Sequence, residues 1–133
     1  MGTMSVKELA EEHADFYMGK GSRQLGARWV ETVWSPDIEI RISAFDGVRT
    51  RDDWVTSHTQ AATMRSSAAG DRPVSRTRID RIHVAAASFV LQGSVTGPDG
   101  APVPLCLVFE VRDGKCVTMY EYLDVNRLLA AQT

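Results

Sequence analysis

The stretch PVPLCLVFEVRDGKCVTMYEYLD, residues 102–124, decides how this chain folds. On both sides of Asp113-Gly114, apolar residues alternate with others, which is the pattern of two half-buried strands joined by a tight turn. A one-residue slip in such a hairpin exchanges the faces of every side chain, so the loop length matters. A two-residue loop pairs Arg112 with Lys115 and sets Leu107 beside Tyr120. A three-residue loop with a glycine bulge at Gly114 pairs Val111 with Lys115, Phe109 with Val117, Leu107 with Met119 and Leu105 with Glu121. The second register gathers the apolar residues of both strands on one face and is the one expected. Phe89, Leu91 and Val95 extend that face, sharing the parity of Val103 and Leu105. The opposite face carries Val90, Cys106, Val108, Tyr120 and Tyr122 among Gln92, Ser94 and Thr118. Its apolar content predicts cover by a second subunit, hence a homodimer through the outer sheet face.

Upstream, strands are expected near 74–84 and 88–97, which with 102–112 and 115–124 form a meander; Pro98-Asp99-Gly100 supplies another turn. The first 65 residues read as three helices with a strand before the third. Ser5-x-x-Glu8 is a capping box, followed by Val6, Leu9, Ala10, His13, Phe16 and Tyr17 at helical spacing. Ser22 can cap a second helix that buries Leu25, Trp29 and Val33 and stops before Ser35-Pro36. Ile38, Ile40 and Ile42 then alternate with Glu39, Arg41 and Ser43 up to the turn residues Asp46-Gly47. Thr50-x-x-Asp53 opens the third helix, with Trp54, Val55, His58, Ala61 and Ala62 on one stripe. The order predicts an α+β domain, three N-terminal helices packed on one face of a curved, mostly antiparallel sheet.

Composition narrows the function. The chain has 133 residues, 44% hydrophobic and 24% charged, which suits one globular domain spanning 1–133. Fifteen Lys and Arg against seventeen Asp and Glu give a net charge of −2, without a basic run, so no nucleic-acid partner is expected. No apolar run approaches the roughly 20 residues that span a bilayer, so no membrane partner and a cytoplasmic location are expected. Cys106 and Cys116 form no C-x-x-C and no metal-ligand spacing; they read as thiols, and neither a metal nor a cofactor is expected.

Three ionisable residues share faces with core-forming ones: His13 on the first helix, His58 on the third and Glu121 on the last strand. Burial raises a carboxyl pKa and lowers that of an imidazole, which lets such a set serve as general acid and general base near neutrality. Each also has a structural reading, as a satisfied core histidine or a carboxylate that caps a backbone group. Tyr17, Trp34, Trp54, Leu107 and Met119 are the residues expected to line a cavity. Glu39 and Arg41 fall on the polar face of their strand, Arg78-x-Asp80 with Arg81 reads as a charged sheet edge, and His83 has no clear face.

The whole chain resembles the SnoaL-like branch of the nuclear transport factor 2 (NTF2) superfamily. The resemblance is carried by Trp34-x-Pro36-Asp37-Ile38-Glu39-Ile40, by Phe45-Asp46-Gly47 with Arg51-Asp52, and by Asp113-Gly114-Lys115 leading to Glu121-Tyr122-Leu123-Asp124. It implies a cone of helices against a curved sheet with one deep pocket. That pocket serves isomerases, dehydratases, polyketide cyclases, epoxide hydrolases and non-catalytic binders in the superfamily. Glu121 falls where epoxide-hydrolase-like members carry a catalytic carboxylate, and it resembles the last-strand glutamate of phenazine-biosynthesis relatives. His58 is similar to the helix-three histidine of that group, and His13 lies near the helix-one tyrosine of ketosteroid isomerases. The Arg-x-Asp pair of the epoxide-hydrolase pattern is replaced by Gly93-Ser94-Val95. The expectation is therefore a cofactor-independent isomerase, dehydratase or cyclase acting on a small, mostly apolar carbonyl or polyketide-like molecule. Glu121, His58 and His13 would be its catalytic residues. The rival is a non-catalytic small-ligand-binding or assembly module of the same fold.

Overall fold

The computed structural model describes residues 4–18, 28–43, 47–58, 77–97 and 100–124. Its first helix, α1 (Val6–Tyr17), opens on the expected capping box: the Glu8 N–H donates to Ser5 Oγ, and the Ser5 N–H donates to Glu8 Oε1, both at 3.1 Å. Leu9, Ala10, His13 and Ala14 form its buried stripe. Of the second expected helix, Ser22 and Leu25 lie outside the described residues; its end is the single turn α2 (Val30–Val33), where Val30 and Val33 are buried. The third, α3 (51–58), starts on a reciprocal cap in which the Asp53 N–H donates to Thr50 Oγ1 at 3.1 Å and the Thr50 N–H to Asp53 Oδ2 at 3.4 Å. Ala61, Ala62, Phe45, Asp46, Pro98 and Asp99 lie outside the described residues. Among the described residues the helical layer comprises α1, the single turn α2 and α3, and no helix is long and apolar enough to cross a membrane.

The sheet contains β1 (Trp34–Ile42), β2 (Thr77–Val84), β3 (Ser88–Thr96), β4 (Pro102–Arg112) and β5 (Lys115–Leu123), in the spatial order β1-β5-β4-β3-β2. From β1 the chain crosses to the far edge at β2 and returns strand by strand until β5 lies parallel to β1; the other pairs are antiparallel. Its concave face is laid out in rows. Ile40, Met119, Phe109 and Phe89 stand side by side in one row, and Ile42, Glu121, Leu107 and Leu91 in the next. Helix α1 packs over β2 and β3 on this side. On the outer face, Arg41, Tyr120, Val108, Val90 and His83 form a row, with Cys106, Gln92 and Tyr122 beside it. His83 is exposed there, its Nε2 2.9 Å from Gln92 Oε1, and Arg78 pairs with Asp80 at 2.8 Å on the edge strand.

The β4–β5 hairpin corrects the expected register. Asp113 (φ 53°) and Gly114 (φ 75°) both adopt the left-handed conformation, so the loop has two residues and Arg112 pairs with Lys115. Such a turn matches the right-handed twist of the flanking strands, which a longer loop does not need to supply. Val117 is then an extra residue: Val111 pairs with Cys116, but Glu110 pairs with Thr118, Phe109 with Met119 and Leu107 with Glu121. From Thr118 on, the bulge restores the parity that a three-residue loop would have set, so those face assignments stand while the individual partners move; before it, Cys116 rather than Val117 is the buried residue, paired with Val111 and 0% exposed. A second irregularity, between Ile79 and Arg81 of β2, sits opposite Gly93. A Cβ at Gly93 would lie 1.8 Å from the Arg78 carbonyl oxygen, so only glycine permits this approach of two backbones.

Candidate active site

Glu121 owes its place to the hairpin. Between Ile42 on β1 and Leu107 on β4 its side chain belongs to the concave face, partly buried, while its backbone carbonyl accepts the Ser43 N–H at 2.9 Å. Burial pushes the carboxyl above the usual carboxylate range, and the positive charge of Arg49 works in the opposite direction. Arg49 is held where the chain comes back past Gly47. Its N–H donates to the Ile40 carbonyl at 2.8 Å, and its carbonyl accepts the Ile40 N–H at 3.3 Å, forming an antiparallel bridge on the edge of β1. With Asp53, Thr56 and Ser57 of α3, Arg49 lines an open cleft of about 300 Å³.

Tyr17 ends α1, its hydroxyl buried. Burial drives the phenol well above its ordinary pKa, and the neighbouring charges of Glu121 and Cys116 push the same way. Tyr17 therefore remains a protonated donor at any physiological pH, in electrostatic contact with the Glu121 carboxylate. Glu121 thus interacts through its charge with two residues, Tyr17 at the end of α1 and Arg49 in the lead-in to α3.

His13 sits in a different setting. Nδ1–H donates to the Leu9 carbonyl at 2.6 Å, and Nε2 accepts the Trp34 Nε1–H at 2.9 Å. The indole can only donate and the carbonyl can only accept, which fixes this tautomer. Cys116 Sγ lies 3.8 Å from Nε2, and the rings of Phe109, Trp29 and Phe89 pack at 4.7, 4.8 and 5.1 Å. The residue is 0% exposed; burial lowers its pKa to about 4 against a small opposing effect of the Leu9 bond, so it is neutral at pH 7. Burial likewise pushes the Cys116 thiol to about 12. Both ring nitrogens of His13 are thus committed to core partners.

His58 is half-buried on α3, its Nδ1–H donating to the Trp54 carbonyl at 2.8 Å and its ring stacked on Trp54 at 3.7 Å. Of the expected cavity-lining residues, Trp34, Leu107 and Met119 are 0% exposed and Trp54 is 2% exposed. Trp34 and Trp54 meet edge to face at 4.8 Å. The geometry thus joins His13 to Trp34 and His58 to Trp54, while Glu121 is linked to Tyr17 through its charge. Arg49 is the residue that sequence reasoning missed. Its signal was the turn itself: a chain that leaves β1 at Ile42 and has turned back by Gly47 runs beside β1 again, setting Arg49 opposite Ile40. Among the described residues, no three His, Cys, Asp or Glu side chains converge to hold a metal ion.

No protein-family model and no curated protein sequence matches the chain. Solved structures do. An NTF2-like protein of unknown function from Cytophaga hutchinsonii superposes with a TM-score of 0.66 over 97% of this chain and 99% of its own, at 10% identity. A proposed isomerase of the SnoaL-like family from Agrobacterium tumefaciens gives 0.59 over 90% and 97%, at 12% identity. TerC, co-crystallised with polyporic acid, gives 0.62 over 92% and 97%, at 15% identity. At such identities the likeness is one of fold, and the fold of this chain is NTF2-like, an α+β arrangement of helices on a curved sheet.

Proposed function

We propose that the chain, residues 1–133 as one cytoplasmic domain, is a cofactor-independent acid–base enzyme for a small, mostly apolar carbonyl or polyketide-like molecule. The observation that carries this reading is Glu121: a carboxyl on the concave face, raised by burial and in electrostatic contact with Tyr17 and Arg49. A carboxylate with a raised pKa is a better base toward the acidic C–H beside a carbonyl, and it returns the proton at another carbon or to a leaving hydroxyl. Tyr17 donates to the oxygen on which negative charge develops. His58 takes the complementary proton or polarises the second oxygen. His13 acts through Trp34 as a fixed part of the framework. Isomerisation, dehydration and cyclisation all use these steps, and the SnoaL-like neighbour supports the first of them. The outer-face row of Tyr120, Val108 and Val90 supports pairing of two copies through that face.

The test is proton exchange at the α carbon of a β,γ-unsaturated cyclic ketone in D₂O, followed by NMR. The variant Glu121→Gln should exchange at least about tenfold more slowly than the wild type while keeping its fold, the usual scale for losing a general base. Equal rates in the two proteins would sink the proposal. A second reading, a ligand-binding or assembly module, draws on the close packing of Trp34, Trp54, Leu107 and Met119, which leaves little room among those four side chains. Saturable binding of the ketone without exchange would favour it.

A further inference from the structure

Arg49 faces two ways: it lines the cleft beside α3, and its charge acts on Glu121. Its backbone is pinned to Ile40 by two hydrogen bonds, so the start of its side chain has a fixed origin. The other cleft residues, Asp53, Thr56 and Ser57, follow one another at i, i+3 and i+4 and share one face of α3. Two are hydroxyls. The third, Asp53, spends an oxygen on the helix cap by accepting the Thr50 N–H, yet its negative charge remains at the wall. One guanidinium, two hydroxyls and one carboxylate favour a ligand with a single negative charge over a dianion. A planar carboxylate fits the guanidinium fork, and about 300 Å³ suits a small molecule.

We propose that this cleft is the outer end of the Glu121 site and reads the carboxylate of a small monocarboxylic substrate, with the Arg49 guanidinium shared between that carboxylate and Glu121. The sharing rests on the reading of Glu121 as proton carrier. Among the described residues, Asp53 of α3 lines the cleft with Arg49, Tyr17 of α1 interacts with the charge of Glu121, and β1 and β4 set Ile42 and Leu107 beside Glu121. A bound carboxylate draws positive charge from Glu121, so the acid that fits the cleft also makes Glu121 the stronger base.

Titration of the full, ¹⁵N-labelled chain with sodium benzoate, benzamide and inorganic phosphate tests this. Benzoate should saturate, with shifts centred on the Arg49 Nε–H and the amides of Thr56 and Ser57, and benzamide should not. Arg49→Met should weaken benzoate by at least about tenfold, and Arg49→Lys, which keeps the charge without the fork, by less. Glu121→Gln should tighten it, since the guanidinium is no longer shared. Equal binding of benzamide and benzoate, or unchanged binding in Arg49→Met and Arg49→Lys, overturns the proposal; phosphate binding tighter than benzoate overturns the carboxylate class. Benzoate binding indifferent to Arg49 while Glu121→Gln is inactive refutes the cleft and leaves the Glu121 reading standing. Full exchange activity in Glu121→Gln with Arg49-dependent binding intact does the reverse.

Discussion

His13 and Glu121 occupy the same interior and receive opposite treatment from it. Around His13 every polar atom has a partner: Leu9 takes the Nδ1 proton, Trp34 supplies the one that Nε2 needs, and aromatic rings close the remainder. Around Glu121 the surroundings disfavour the charge it carries, and the opposing influence comes from Arg49 at the rim of a cleft. A buried ionisable group is a structural part when its neutral form is fully paired, and a reactive one when its charged form is tolerated at a cost. Substitution separates the two cases.

The largest expected effect is at His13. Replacing it by alanine opens a cavity among Trp29, Phe89 and Phe109 and leaves the Trp34 N–H without its acceptor, at a cost of about 3–5 kcal/mol in chemical unfolding. Next comes acid sensitivity. His13 falls from 6.5 to about 4 on folding, so it favours the native state fully above about pH 6.5 and progressively less down to about pH 4; the span is worth about 3 kcal/mol. Urea midpoints taken at pH 7 and pH 4.5 should show that loss, and variants without His13 should lack this part of it. The smallest effect is at Glu121, with the opposite sign. Because its folded-state pKa is raised, the wild type loses stability as pH rises through that value, and Glu121→Gln should be the more stable protein at pH 7. The gain should vanish in acid. A Gln variant less stable than wild type at pH 7 would erase the contrast between the two regions.

Much of this was legible from local pattern. The caps at Ser5 and Thr50 announce two helix starts, because a hydroxyl and a carboxylate three residues apart satisfy each other's backbone regardless of tertiary context. The parity of β4 and β5 placed Glu121 inward for a similar reason: alternation is a property of the strand. The choice of partner is not. Whether Leu107 meets Met119 or Glu121 depends on the bulge at Val117, which trades loop length against strand twist and leaves no mark in the hydrophobic pattern. His13 shows the same limit. Helical spacing says that it points at the core, while the partner that completes it, Trp34, is 21 residues away on another element. Arg49 escaped because its role comes from the return of the chain past Gly47, not from its own neighbours in sequence.

Gly93 carries a consequence for which chemistries this chain can acquire. The space in front of Gly93 is filled by the Arg78 carbonyl, so this position of β3 can carry no side chain. No point substitution can seat an arginine there, because what stands in the way is main chain, which cannot rotate aside as a side chain would. The irregular stretch of β2 would have to be straightened first. A functional side chain at this point of the sheet is thus shut out by one contact between two backbones, and evolution or design would place one there only by rebuilding the edge of the sheet first.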